Sequence, residues 1–256
     1  IKISVDEYSG CLTSIKADGK EILKTPMRWN LLRYTDNDRN LLPIWEKTYR
    51  LPECKPEVFS YLKKATGYKI SGIIGANCLI PTLEFSVEYT VLGSTLTIAT
   101  EYKINDYIET LPRFGFEFGI NKEYDKFAFV GFGKTESYVD KNTACKYGYY
   151  ENSSRENYDR KYIRPQESGS HYASKYLCVK NLFTLTAKHP FSFSVNPYTT
   201  QQLYEATHTF DLTENEFVNI CVDLAMRGVG SQSCGPKLDK KFEIPKEGRN
   251  VFKLEF

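Results

Sequence analysis

The sequence predicts an all-β protein, a large antiparallel β-sandwich, and three observations carry that prediction. Apolar and polar residues alternate with period two from end to end, helical periodicity is nearly absent, and Thr, Tyr, Phe and Val are abundant. Alternation of this kind gives a strand one core face and one polar face, and β-branched and aromatic residues fit such a pleated, half-buried surface.

The opening residues IKISVDEYSG read as an amphipathic strand with no signal-peptide pattern, so a cytoplasmic, reducing location is expected. Leu83, Phe85, Val87, Tyr89 and Val91 alternate with Thr82, Glu84, Ser86, Glu88 and Thr90; a Gly93-Ser94 turn follows, and Leu96 and Ile98 begin the return, so residues 82–104 read as a hairpin. The same pattern recurs at Phe114, Phe116, Phe118 and Ile120, at Phe191, Phe193 and Val195, at Val218, Ile220, Val222 and Leu224, and at Phe252, Leu254 and Phe256. Only residues 199–208, TTQQLYEATH, read as a short helix, with Thr199 or Thr200 as N-cap and Leu203 facing inward. Residues 25–52, which hold both tryptophans, and residues 140–172 do not alternate and read as long loops, which in compact domains are usually functional or interface-forming. With no internal repeat, low-complexity tract or Gly/Ser linker, residues 1–256 are read as a single domain.

Composition excludes several classes. Lys+Arg 34 against Asp+Glu 32 leaves a formal charge of +2 with the two signs interspersed, so neither a nucleic-acid nor an anionic-membrane footprint is present. No apolar run is long enough to span a bilayer. The 7 cysteines, at 11, 54, 78, 145, 178, 221 and 234, are widely spaced without a CxxC pair, which argues against a disulfide framework and a structural zinc site.

The segment RGVGSQSCGP (227–236) invites two chemical readings. A phosphate cradle lacks the Gly-Lys-Ser/Thr ending and the following helix, and Cys234 has no thiol-hydrolase signature around it, so a loop thiol is the commoner role. An epimerase would need an acid and a base, which His171 or His208 with Glu136, Glu167 or Glu205 could supply, although nothing in their spacing selects them over ordinary core or loop histidines; His189, before Pro190 at a strand entry, is the weakest candidate. Asp36-Asn37-Asp38 opens like a calcium loop but lacks its glycine and closing glutamate, so a turn held by Asx side-chain bonds is expected. Loops rich in Arg, Asp, Asn, Trp and Tyr suit carbohydrate, and they suit a protein interface equally.

Four blocks then become specific. GFGKTESYVDKNTACKYGYY (131–150), YIRPQESGSHYASKYL (162–177), FSFSVNPYTTQQLYEATH (191–208) and MRGVGSQSCGP (226–236) resemble, in order and spacing, the C-terminal domain of lactose-cleaving β-galactosidases of glycoside hydrolase family 2. SGCLTSI (9–15), TPMRWNLLRYTDNDR (25–39) and LPRFGFEF (111–118) are similar to the opening of the same domain, so the resemblance covers essentially the whole chain. It implies a galactose-mutarotase-like supersandwich. It also implies that the catalytic glutamates lie on a barrel domain outside this chain, that hydrolysis is retaining, and that the chain alone is inactive.

By position, the resemblance assigns Gly131, Gly133, Glu136, Tyr138 and Asp140 to the framework block G-x-G-P-x-E-x-Y-x-D-R, with Lys134 and Lys141 replacing its proline and final arginine. There the glycines serve tight backbone geometry, and Glu136 and Asp140 tie down loop amides. Arg164, Pro165, Gln166, Glu167 and Gly169 match a second structural turn. Arg33, Asp36, Asn37, Asp38 and Arg39 match a loop at the mouth of the barrel, and the loop carrying Gly230, Ser231 and Cys234 reaches toward the active site. Many members place a tryptophan where Cys234 stands; with that platform lost, either the rim is built differently here or another residue, Trp29 or Trp45, takes over stacking. The resemblance further implies a galactoside substrate, contacts to preceding domains, a homo-oligomeric parent, no cofactor in this stretch, and Mg²⁺ with an alkali metal ion elsewhere in the parent. A free-standing carbohydrate-binding module or an aldose-epimerase-like protein is the rival reading.

Overall fold

The computed structural model describes residues 1–77, 79–230 and 235–256, and among them strands predominate over helices. An N-terminal meander is built from β1 (Lys2–Val5), β2 (Leu12–Ala17), β3 (Lys20–Glu21) and β4 (Leu23–Asn30). Two long hairpins follow, β5 (Lys55–Lys64) with β6 (Gly67–Gly75) and β7 (Leu83–Leu92) with β8 (Thr95–Ile104). The second half carries β9 (Arg113–Asn121), β10 (Lys126–Gly133), β11 (Lys146–Ser153), helix α1 (Ser154–Asn157), β12 (His171–Val179), β13 (Phe183–Asn196), helix α2 (Thr200–Glu205), β14 (Phe217–Met226) and β15 (Glu247–Glu255).

The strands form one antiparallel sheet in the order β1-β2-β4-β9-β14-β13-β15-β8-β7-β6-β5, with β12, β10 and β11 branching from β13. The sheet curls until its halves face each other, as the expected supersandwich requires. Trp29 on β4 packs on Phe85 of β7 at 4.7 Å between ring centroids, Tyr102 of β8 lies 5.0 Å from Phe114 of β9, and the Tyr89 hydroxyl donates to Gly10 O at 3.0 Å. The inward residues named by the alternation, Phe114, Phe116, Phe118, Ile120, Phe193, Val195, Val218, Ile220 and Val222, all lie in one continuous apolar core. Burial of each such side chain contributes about 1.5–3 kcal/mol, so this core holds the curl closed.

Most local expectations reappear as elements. The 82–104 hairpin is β7–β8, with Gly93 at φ 60 in its turn. The helix is α2: Thr199 caps it through a capping box with Gln202, and Leu203 packs inward on Tyr158 and Tyr198. Two expectations need correction. Residues 25–30 continue β4, and residues 146–153 of the supposed 140–172 loop form β11 on the free side of β10. Tyr147, Tyr149 and Glu151 of β11 are exposed, so its outer face lacks the apolar alternation that marks a half-buried strand. His189 and Pro190 lie inside β13 rather than at its entry, where its pairing passes from β15, ending at Ala187, to β14, beginning at Ser192; a residue without an N–H costs nothing at such a gap.

Candidate functional site

Three neighbouring strands place their loops at one end of the sheet. β4 ends at Asn30, opposite Gly115 near the start of β9, and β14 ends with Met226 paired to Arg113. The segment after β4, the loop before β9 and the segment after β14 therefore meet.

Arg33 joins them. Its guanidinium takes the Asp38 carboxylate in a fork at 2.9 and 3.0 Å and donates to Arg227 O and, at 3.2 Å, to Gly228 O. Asn37 Nδ2 donates to Val229 O at 2.8 Å. From the other side, Asp140 accepts from Val229 N at 2.9 Å and from Gly230 N at 2.6 Å. The segment 228–230 is thus clamped between residues 33–38 and Asp140. Glycine is needed at 228 and 230 because a Cβ there would lie 2.6–2.7 Å from the Asp140 carboxylate.

Beneath the clamp lies a buried charge network. Arg113 holds Asp223 through two bonds of 2.8 Å and Glu167 through one of 2.9 Å; Arg227 pairs with Glu243 at 2.9 Å and approaches Asp38 at 3.5 Å. Gln166 Oε1 accepts from Asp36 N at 2.7 Å, Glu167 N donates to Tyr34 O at 2.8 Å, and the Arg164 guanidinium lies 4.1 Å over the Tyr34 ring. Burial, together with the neighbouring Asp223 charge, pushes the Glu167 carboxyl upward against the pull of Arg113, and its Oε1 has no hydrogen-bond partner.

The framework residues of the sequence surround this constellation. Gly131 and Gly133 are buried in β10, and Tyr138 and Pro165 are buried. Glu136 accepts from the Tyr162 hydroxyl at 2.7 Å, from Lys141 at 2.6 Å and from Gly169 N at 3.2 Å. Burial and the bond to Glu136 raise the Tyr162 phenol. A cavity of about 620 Å³ opens beside them, lined by Glu136, Asp140, Asn142, Asp159 and Tyr162 among others. Asp36, Asn37 and Arg39 are exposed at the edge of this end of the sheet, whereas Asp38 is buried, its carboxylate filled by Arg33 and by Thr35, whose hydroxyl donates at 2.8 Å. The 36–38 turn is capped by Thr35 rather than by the expected Asx bonds. Ser231 and Cys234 lie outside the described residues.

Other candidates separate. Trp29 is stacked on Phe114 at 5.2 Å, and Trp45 is buried with its indole N–H donating to Thr110 O at 3.2 Å, so both rings are committed to packing and neither offers a sugar platform. His171 is fully buried against Phe129, bonds Asn157 Oδ1 at 2.8 Å, and has its pKa pushed down to about 4 by burial. His208 is exposed beside Asp211, and neither histidine bonds Glu136, Glu167 or Glu205. No acid–base pair of the epimerase kind forms among the described residues. Cys11, Cys54, Cys145, Cys178 and Cys221 are free thiols, and burial raises Cys221 far from thiolate formation. Among the described residues no cluster of three or more His, Cys, Asp or Glu could hold a metal ion, and no helix is long and apolar enough to cross a membrane.

Sequence reasoning missed Arg113, Arg227, Asp223 and Glu243. One signal existed: Arg113 and Asp223 sit in the polar phase of strands whose other phase is entirely core, yet a buried sheet covered on both sides is where such charges need partners.

The family model described as β-galactosidase small chain matches residues 1–256. A β-galactosidase of Actinobacillus pleuropneumoniae is 33% identical over 98% of this chain and 25% of its own length, and one of Pseudoalteromonas haloplanktis is 30% identical over 97% and 25%. The chain thus spans about a quarter of the length of the curated relatives it matches. A solved structure assigned as an aldose 1-epimerase from Escherichia coli K12 superposes with a TM-score of 0.52 over 99% of this chain and 94% of that one, at 8% identity, a likeness of fold.

Proposed function

Since the chain belongs to the β-galactosidase small-chain family over residues 1–256, we propose that it is the C-terminal β-sandwich domain of a larger β-galactosidase and completes the rim of that enzyme's active site. The parent hydrolyses terminal β-D-galactosides such as lactose with retention, using carboxylates outside this chain. The observation that carries this reading is the clamp on residues 228–230, made by Asn37 from one side and Asp140 from the other. A rim that helps to position a sugar must be rigid and supported from behind, and here the two supports are an amide and a carboxylate side chain bonded to its backbone from opposite sides. Exposed Asp36, Asn37 and Arg39 supply groups able to bond hydroxyls, while Asp38 acts by holding Arg33 in place. The parent is a cytoplasmic homo-oligomer, and the preceding domains of its chain pack on this one.

The test has two arms. The 256-residue chain alone gives no turnover of a chromogenic β-galactoside, and activity appears when the upstream domains are joined; turnover by the chain alone overturns the reading. In the complete enzyme, Asp140→Ala lowers kcat/KM by about tenfold, the size of one lost positioning contact. An unchanged kcat/KM removes the rim role.

A further inference from the structure

A second cavity, of about 480 Å³, is walled in part by Lys241 and Phe242 of the Lys240–Phe242 turn, whose Phe242 O accepts from Gly228 N. Two irregular strand stretches shape it. The β12–β13 ladder slips between His171 and Tyr176, with Ala173 in the left-handed region at φ 54, and the β14–β9 ladder slips between Asp223 and Ala225. Bulges re-aim side chains, and a left-handed alanine persists only where its surroundings enforce it. Both irregularities line the same hollow, which turns Tyr172 and Ala173 into its wall.

The lining has a definite chemistry. The half-buried rings of Tyr172, one face of which stacks on Phe132 at 6.1 Å, and of Phe242, one face of which carries the Lys241 ammonium at 4.8 Å, line it together with Ser192, Glu243, Glu247 and Arg249. Charge is balanced: Asp223 is held by Arg113, Glu243 by Arg227, and Lys241 by Asp239 at 3.1 Å, leaving exposed Glu247 and Arg249, one of each sign. A wall of this kind disfavours a charged ligand, and its ring faces and hydrogen-bonding groups match a molecule that is apolar on one side and hydroxylated on the other.

We propose that this cavity binds a neutral sugar. The wall formed by Phe242 and Glu243 is shared with the rim, because Gly228 N donates to Phe242 O at 3.0 Å and Glu243 pairs with Arg227 at 2.9 Å. A sugar seated here therefore touches the residues that anchor the root of the clamped segment.

Calorimetric titration of the chain with galactose and lactose tests this. A dissociation constant of about 1–10 mM is expected, as befits a small open site. Phe242→Ala and Arg249→Ala each weaken binding by about tenfold, more than Asp140→Ala does. Arg249 is exposed on β15, so its variant keeps the test valid should Phe242→Ala lower the melting temperature. Absence of heat at about 100 mM sugar, undiminished binding in both cavity variants, or binding lost in Asp140→Ala alone would each overturn the proposal. The last outcome would place the sugar at the rim instead, so the two assignments fail separately.

Discussion

The two faces of the β9–β14 pair are both buried, yet they are built from opposite materials. One face presents Phe114, Phe116, Phe118, Ile120, Val218, Ile220 and Val222 to the apolar core. The other presents Arg113, Glu117, Asn219, Cys221 and Asp223 to segments of the chain folded over it. There Glu117 Oε1 accepts from Thr200 N at 2.7 Å and from Asn219 Nδ2 at 2.9 Å, Asn30 Nδ2 donates to Thr200 Oγ1 at 3.0 Å, and Arg113 reaches Glu167 across the gap. Apolar packing tolerates exchange among residues of similar volume, whereas a buried polar layer leaves an expensive orphan whenever one partner goes. The candidate site stands on the polar face, so its geometry is fixed by specific pairs rather than by bulk.

The sharpest way to break the comparison is to remove one large residue from each face. Phe118→Ala is expected to cost about 3–5 kcal/mol through lost burial and a residual cavity. Arg113→Met is expected to cost a similar 3–5 kcal/mol, because it strands Glu167 and Asp223. The faces part company on rescue. Arg113→Met combined with Glu167→Leu and Asp223→Leu should be more stable in urea titrations than Arg113→Met alone, since replacing a whole buried ionic group removes the orphans. A triple variant no more stable than the single would mean that this face is held by packing after all.

A smaller effect should appear with pH. Burial depresses the His171 pKa from 6.5 to about 4, so the unfolded chain binds the proton more readily than the folded one. Stability should therefore fall as pH drops from about 6.5 toward 4, with about 2 kcal/mol lost by pH 5. His171→Gln should flatten that slope, and an unchanged slope would exclude His171 as its source. Smallest is the cap on α2, where Thr199→Ala is expected to cost about 1 kcal/mol in the same titrations.

What could be read from the sequence divides along the same line. Alternation exposed the apolar face because it is a local signal, repeated every second residue, and it led directly to β7–β8, β9, β14 and the core list. The polar face was legible only in part, since Arg113 and Glu167 are 54 residues apart and nothing local encodes their meeting. β11 escaped notice because its outer face is exposed and tyrosine-rich. The four blocks matching the β-galactosidases located Asp140, Glu136 and the glycine-rich segment, but they did not show that Asp38 faces inward or that Trp29 and Trp45 are spent on packing. Those outcomes depend on how the sheet curls, which no single segment records.

The two bonds from Asp140 to the amides of Val229 and Gly230 have a consequence for the entropy of sugar capture. Fixing the backbone of one free residue costs about 1–2 kcal/mol. Held by both amides, residues 229 and 230 have given up that freedom during folding, so under the proposed rim role their ordering is not subtracted from the affinity for a sugar.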